Sequence, residues 1–231
     1  MSALVVSILG AESTGKSDLC NALATQIEAA SGLRCIAVPE RLRDWCARQG
    51  RTPRADEQLE IAQAQIAAIE AAAQEADVVL CDTTPLMTAV YSVYLFKDDS
   101  LLAMAWSFER RCDLTLLTAL DVEWVADGIQ RDGPHVRAPV DAATREALVA
   151  GGISWSIVSG LGQARVNAAL DAITPLLLKR AAPKSGLFAR LQKQQAAQPQ
   201  WQNFCDCDSP ECEHALLTAP SPTHPTAPSR R

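Results

Sequence analysis

No stretch of the 231-residue sequence approaches the roughly 20 consecutive apolar residues that a membrane-spanning helix needs, so a membrane association of that kind is not expected. The opening Met1-Ser2-Ala3-Leu4 lacks the basic region of a secretory signal peptide, which points to the cytoplasm. An excess of positive charge is missing too. Lys and Arg number 21 against 27 Asp and Glu, a net charge of −6, and direct nucleic-acid binding is not expected from a chain without a basic face. None of the eight cysteines forms a Cys-x-x-Cys pair. Cys20, Cys35, Cys46, Cys81 and Cys112 stand singly in apolar surroundings as small hydrophobes, and disulfides are not expected in a reducing compartment.

What is present up to Leu178 is an alternation of short apolar runs with longer segments of helical period. Strands are expected at Leu4–Leu9, Arg34–Val38, Val78–Cys81, Leu114–Thr118 and Trp155–Val158. Leu19/Leu23/Ile27 and Leu59/Ala62/Ile66/Ile69 recur at helical spacing, with further helices at Asp141–Val149 and Ala164–Leu178. Continuous apolar strands separated by helices specify a parallel sheet covered on both faces, a three-layer α/β domain over residues 1–178. The composition then changes. Residues 179–204 hold Lys179, Arg180, Lys184, Arg190 and Lys193 and no acid, followed by a Gln/Ala run, and read as a linker. Residues 205–214 form a Cys/His-rich segment, and residues 215–231, rich in Pro, Ser and Thr, read as a disordered tail.

Directly after the first strand stands Gly10-Ala11-Glu12-Ser13-Thr14-Gly15-Lys16-Ser17. This is a Gly-x-x-x-x-Gly-Lys-Ser phosphate-binding loop in its proper setting, strand before and helix after. Gly10 and Gly15 permit the tight turn that lets successive backbone N–H groups, including those of Glu12, Ser13 and Thr14, converge on a polyphosphate. Lys16 would lie along the β and γ phosphates of ATP, and Ser17 would hold Mg²⁺. The third strand ends on Asp82, the carboxylate this nucleotide-binding class needs near the magnesium shell. No Asn-Lys-x-Asp guanine reader occurs in the chain, which argues against a GTPase.

A phosphoryl acceptor needs an acid to take its hydroxyl proton and cations to orient it. The second strand ends at Val38-Pro39-Glu40-Arg41-Leu42-Arg43-Asp44, at the sheet edge where open α/β folds bind ligands. Glu40 is read as the general base and Arg43 as the orienting cation; the other reading is a helix-start acid beside a solvated basic face. Residues 122–137 form a second concentration of such chemistry, with Asp127 near the nucleotide and Arg131 as the arginine that closes over the transferring phosphoryl group. The five tryptophans are read as packing anchors.

Together these pieces resemble the nicotinamide riboside kinase domain of the NadR-type NAD-regulatory proteins, a branch of the P-loop nucleoside kinases. The resemblance is carried by residues 10–17, Pro39-Glu40-x-x-Arg43-Asp44, Ile61-Ala62-x-x-Gln65, Asp82-Thr83, Glu123-Trp124-Val125-x-Asp127-Gly128-x-x-Arg131, and Gly160 followed by Ala164-Arg165. It implies ATP- and Mg²⁺-dependent phosphorylation of the 5′-hydroxyl of a pyridine riboside, a step of NAD synthesis. It also implies that Gln65, like the base-reading glutamines of nucleoside kinases, faces the acceptor, although a glutamine between Ile61 and Ile69 reads equally as a helix-surface residue. One departure stands out: the family commonly has Asp-Thr-Asp after the third strand, and here Thr84 replaces the second acid.

Cys205, Cys207, Cys212 and His214 bring three thiols and an imidazole within ten residues, a ligand set that satisfies a tetrahedral structural Zn²⁺. The alternative is an acidic tail with reactive cysteines, because the neighbouring acids raise thiol pKa values. Such a tail also suits a protein partner. That allows a second functional class, a regulatory ATP-binding or ATPase module that controls a partner protein without a small-molecule acceptor.

Overall fold

A computed structural model of the chain describes residues 3–125 and 133–179. Five strands, β1 (Leu4–Leu9), β2 (Cys35–Val38), β3 (Val78–Asp82), β4 (Leu114–Thr118) and β5 (Ser156–Val158), form one sheet in the order β2-β3-β1-β4-β5. All four pairings are parallel. The Val/Ile/Leu character of β1 and β3 follows from this position: every residue of β3 is buried, as strands covered on both faces must be. Each expected strand is present, with β2 and β5 starting one residue later than the pattern suggests and β3 extending to include Asp82.

Among the described residues, seven α-helices connect and cover the sheet: α1 (Lys16–Ser31), α2 (Arg41–Gln49), α3 (Gln58–Glu75), α4 (Pro85–Phe96), α5 (Leu102–Glu109), α6 (Arg137–Ala150) and α7 (Gly162–Leu178). Helix α1 packs on α7 and against β2 and β3, while α4 packs against α3, α5 and α6. The apolar periodicity of α3 is used as expected, with Ile69 and Ala72 joining Val38, Val79 and Cys81 in a buried cluster. Helices α4 and α5 were not expected from periodicity. The reason is that α4 is apolar around most of its circumference, with Leu86, Met87, Ala89 and Val90 all buried, so it has no stripe to reveal it. It starts where Thr84 accepts a hydrogen bond from Leu86 N, with Pro85 in the first turn. The described cysteines are free thiols, four of them buried.

Strand order places the site. β1 lies at the centre between β3 and β4, and the register pairs Ile8 with Asp82. The loop after β1 and the acid ending β3 therefore emerge side by side at the carboxyl edge of the sheet, where crossover connections diverge and leave a crevice.

Candidate active site

The turn from β1 into α1 needs both its glycines. A Cβ on Gly10 would meet Thr118 Oγ1 at 2.0 Å, because the Thr14 and Thr118 hydroxyls are hydrogen-bonded to each other at 2.7 Å directly beneath the loop. Gly15 takes the left-handed conformation, φ 72°, that begins α1. Lys16 Nζ donates to the carbonyls of Gly10 and Ala11, both at 2.9 Å, so the ammonium group is held over the loop. Burial lowers its pKa, and the nearby Glu40 and Asp82 carboxylates oppose that effect.

Ser17 Oγ donates to Asp82 Oδ2 at 2.5 Å. Asp82 is only 5% exposed, and its other oxygen, Oδ1, has no hydrogen-bond partner among the described residues. A buried carboxylate oxygen without a partner is unfavourable as it stands and suits a hard cation, which takes oxygen ligands. No cluster of three or more metal-binding side chains occurs among the described residues. Serine and aspartate would thus supply part of a Mg²⁺ shell, with phosphate and water completing it, as Mg²⁺ usually requires.

Two of the loop residues expected at the nucleotide also hold a neighbouring segment. Glu12 Oε1 accepts from Trp124 Nε1 at 3.1 Å and from Gly133 N at 3.2 Å. Ser13 Oγ accepts from Val125 N at 2.8 Å and donates to Val125 O at 3.3 Å. Thr14 Oγ1 lies below the loop against Ala11 O and Thr118, while Thr14 O is held at 2.9 Å by the buried Arg165. Arg165 also bonds Asp121, Gly160 and Ala119, so it braces three edge loops at once. Asp127, Arg131 and the set Cys205, Cys207, Cys212 and His214 lie outside the described residues.

Glu40 precedes the first turn of α2, and its Oε2 lies 3.7 Å from Arg43 Nε. Both line a cavity of about 370 Å³ that opens beside the phosphate loop. Lys16 and Ser13 line the same cavity, and Arg43, Lys16 and Ser13 also line the concavity over the loop itself. Away from the loop the wall is apolar, built by Leu42, Cys46, Pro53, Met87, Tyr91, Leu95 and Phe96. Arg51 clamps the connection carrying Pro53 by pairing with both oxygens of Glu57, at 2.6 and 2.7 Å, and its guanidinium lies 4.9 Å over the Trp45 ring. Those bonds, with one from Arg54 N, hold the Glu57 carboxyl down to about 2.

One expectation is corrected. Gln65 is 2% exposed, neither on the helix surface nor in the cavity wall. Its Oε1 accepts from Arg41 N at 2.8 Å and its Nε2 donates to the carbonyls of Pro39 and Thr83. The carboxamide is therefore engaged in tying the ends of β2 and β3 together. Thr84, where the family pattern has an acid, is also outside the cavity wall: it caps α4 and its hydroxyl contacts Glu109 Oε2 at 2.6 Å in the core. Thr83 lies between Asp82 and Thr84 at φ 70°, a conformation a β-branched residue takes only under constraint, and it lines the cavity. Thr83 and the α4 wall were missed as site residues. A positive φ has no signature in a single sequence, and α4 gave no periodic signal.

Residues 5–168, more than half of the chain, match the family described as AAA domain. The chain belongs to this family. No curated protein matches this chain in sequence. Among solved structures it is similar to a NadR protein in complex with NR, with TM-score 0.63, 21% identity and coverage of 79% of this chain and 54% of that one. It is likewise similar to a NadR protein in complex with NAD and AMP-PNP, with TM-score 0.59, 22% identity and coverage of 75% and 49%. Thymidylate kinase from Ehrlichia chaffeensis follows at TM-score 0.52 and 14% identity, over 76% of this chain and 100% of that one. The chain thus spans about half the length of the NadR structures, and at these identities the likeness establishes the fold alone, a three-layer α/β P-loop fold.

Proposed function

We propose that this AAA domain is a P-loop kinase that transfers the γ-phosphoryl group of ATP to the 5′-hydroxyl of a nucleoside, with nicotinamide riboside as the acceptor. One observation carries the reading: Lys16 and Arg43 line both the phosphate-loop concavity and the apolar-walled cavity beside it. Two adjoining sites that share their cations suit a donor and an acceptor meeting end to end, whereas an ATPase needs room only for water. The resemblance to NadR, one of whose structures is a complex with NR, supports the choice of acceptor.

In this mechanism the loop amides and Lys16 hold the triphosphate, and Ser17 and Asp82 hold Mg²⁺, which when bound neutralises phosphate charge. Glu40 accepts the 5′-hydroxyl proton as the 5′ oxygen forms its bond to the γ phosphorus and the bond to the β–γ bridging oxygen breaks, leaving ADP. Arg43, paired with Glu40 in the resting site, orients the acceptor. Positioning and charge stabilisation supply most of the acceleration in phosphoryl transfer. Asp127 and Arg131 are assigned to the nucleotide side, Arg131 as the arginine that closes over the transferring phosphoryl group. The test is ADP formation from Mg-ATP with a panel of nucleosides: the rate should rise with nicotinamide riboside. Equal rates with every acceptor and with none would defeat the proposal.

A further inference from the structure

The first turn of α7 carries Arg165, 5% exposed, with no acid beside it in that turn. A cation at the amino end of a helix opposes the helix dipole, so α7 itself gains nothing from this residue. Its bonds lead elsewhere. Nη2 donates to Thr14 O at 2.9 Å and to Ala119 O at 3.2 Å, and Nη1 donates to Gly160 O at 2.9 Å and to Asp121 Oδ1 at 2.6 Å. The other Asp121 oxygen accepts from Gly160 N at 2.6 Å. Burial works to raise the Asp121 carboxyl, but the bonds from Arg165 and Gly160 N hold it below the usual aspartate range, so the pair stays charged at neutral pH. One planar fork thus holds carbonyls that follow β1, β4 and β5, and only a guanidinium offers its donors in that geometry.

The contact with Thr14 is the informative one. Thr14 O and the N–H of Gly15 belong to one planar trans peptide unit and point in opposite directions. Gripping the carbonyl therefore aims the Gly15 N–H away from Arg165. Gly15 lines the phosphate concavity with Ser13, Lys16 and Ser17, whereas Arg165 lines neither that concavity nor the adjoining cavity. A hydrogen bond to a carbonyl also polarises the peptide and strengthens its N–H as a donor, more so when the bond comes from a charged group.

We propose that Arg165 is a positioning residue for the polyphosphate: from behind the loop it turns and polarises the Thr14–Gly15 peptide, so that the Gly15 N–H is preset for an anionic phosphate oxygen. The assignment rests on the nucleotide half of the kinase reading and adds a residue from outside the phosphate-loop motif. Donors fixed in advance need no reorganisation when the charge arrives.

The test measures, by titration calorimetry on the full chain, the affinity for Mg-ATP and for inorganic triphosphate, which has neither base nor ribose. Arg165→Met should weaken both by one common factor of about tenfold or more, the scale on which losing a group that orients a ligand's direct contacts is felt. Arg165→Lys keeps the charge without the fork; it should recover part of the loss and still bind more weakly than wild type, and it carries the comparison if the methionine variant does not fold. The nitrogen resonance of the Gly15 amide senses the hydrogen bond on the preceding carbonyl, and it should move in the Arg165 variants before any ligand is added. Thr84→Val, which weakens the core away from the loop, should leave both affinities as they are. Loss of ATP affinity with triphosphate affinity intact would place Arg165 on the base side of the nucleotide and overturn the assignment. Full recovery by lysine, an unmoved Gly15 resonance or an equal loss in Thr84→Val would overturn it too. A chain that binds ATP through Arg165 and phosphorylates no riboside keeps the assignment and defeats the kinase reading. A chain that phosphorylates the riboside with an unchanged KM for ATP in the Arg165 variants does the reverse.

Discussion

Two hydroxyl–carboxylate pairs flank the tripeptide Asp82-Thr83-Thr84, and their surroundings are opposite. Ser17–Asp82, at 2.5 Å, faces the phosphate loop and leaves Asp82 Oδ1 without a hydrogen bond among the described residues. Thr84–Glu109, at 2.6 Å, lies in the core, where the second Glu109 oxygen accepts from Thr115 at 2.8 Å. Thr83, at φ 70°, turns the chain between them so that neighbouring side chains reach different regions. The same two chemical groups serve as an unfinished ligand set in one place and a completed internal brace in the other. What separates them is whether hydrogen-bonding capacity is left over. The absence of an acid at position 84 therefore leaves the cavity wall unaltered, because that position faces Glu109.

The largest effect should come from Asp82→Asn, which keeps the shape and removes the charge a cation needs. Mg-ATP-dependent turnover should fall about a thousandfold, the scale of losing one preorganised electrostatic contact, while the unfolding midpoint in denaturant stays level or rises. Lost stability with retained turnover would mean that Asp82 is a brace like Glu109. Next in size is Glu40→Gln, for which a drop in kcat of about a hundredfold is expected from loss of the proton acceptor, measured at saturating acceptor. An equal rise in KM with kcat unchanged would make Glu40 a binding group only.

Thr84→Val acts on the other pair. It leaves a buried carboxylate one donor short, so stability should fall by about 1–3 kcal/mol, seen in urea denaturation, with kcat/KM of the folded enzyme within about twofold of wild type. The smallest effect concerns pH. Burial pushes the Glu109 carboxyl above the ordinary glutamate range, against the pull of the surrounding hydroxyls. With the folded value raised, the stabilising contribution is complete below the unfolded pKa and is lost as pH rises through the folded one. Glu109→Gln, which cannot ionise, should gain stability relative to wild type across that rise. A difference in unfolding free energy that stays constant from acid to neutral pH would contradict the shift.

The sequence makes the cradle legible because its chemistry is local. Gly10, Gly15, Lys16 and Ser17 act through fixed spacing on one turn, and Asp82 is found by its place at the end of an apolar strand. Glu40 and Arg43 follow from the same edge rule, three residues apart on one helix turn. The apolar wall of the cavity is illegible for a matching reason. Helix α4 is buried on most sides and so has no amphipathic period, and Tyr91, Leu95 and Phe96 reach the cavity only through tertiary packing. Gln65 shows the limit most sharply. Its partners, Arg41 N and the carbonyls of Pro39 and Thr83, are distant in sequence, and no helical period reveals them.

The account turns on the cradle and the neighbouring cavity acting as one reaction centre. The most direct measurement follows the label from γ-radiolabelled ATP incubated with the full chain, Mg²⁺ and nicotinamide riboside. Label in the riboside 5′-monophosphate is the predicted result; label found only in inorganic phosphate, at the same rate with and without the riboside, would contradict it.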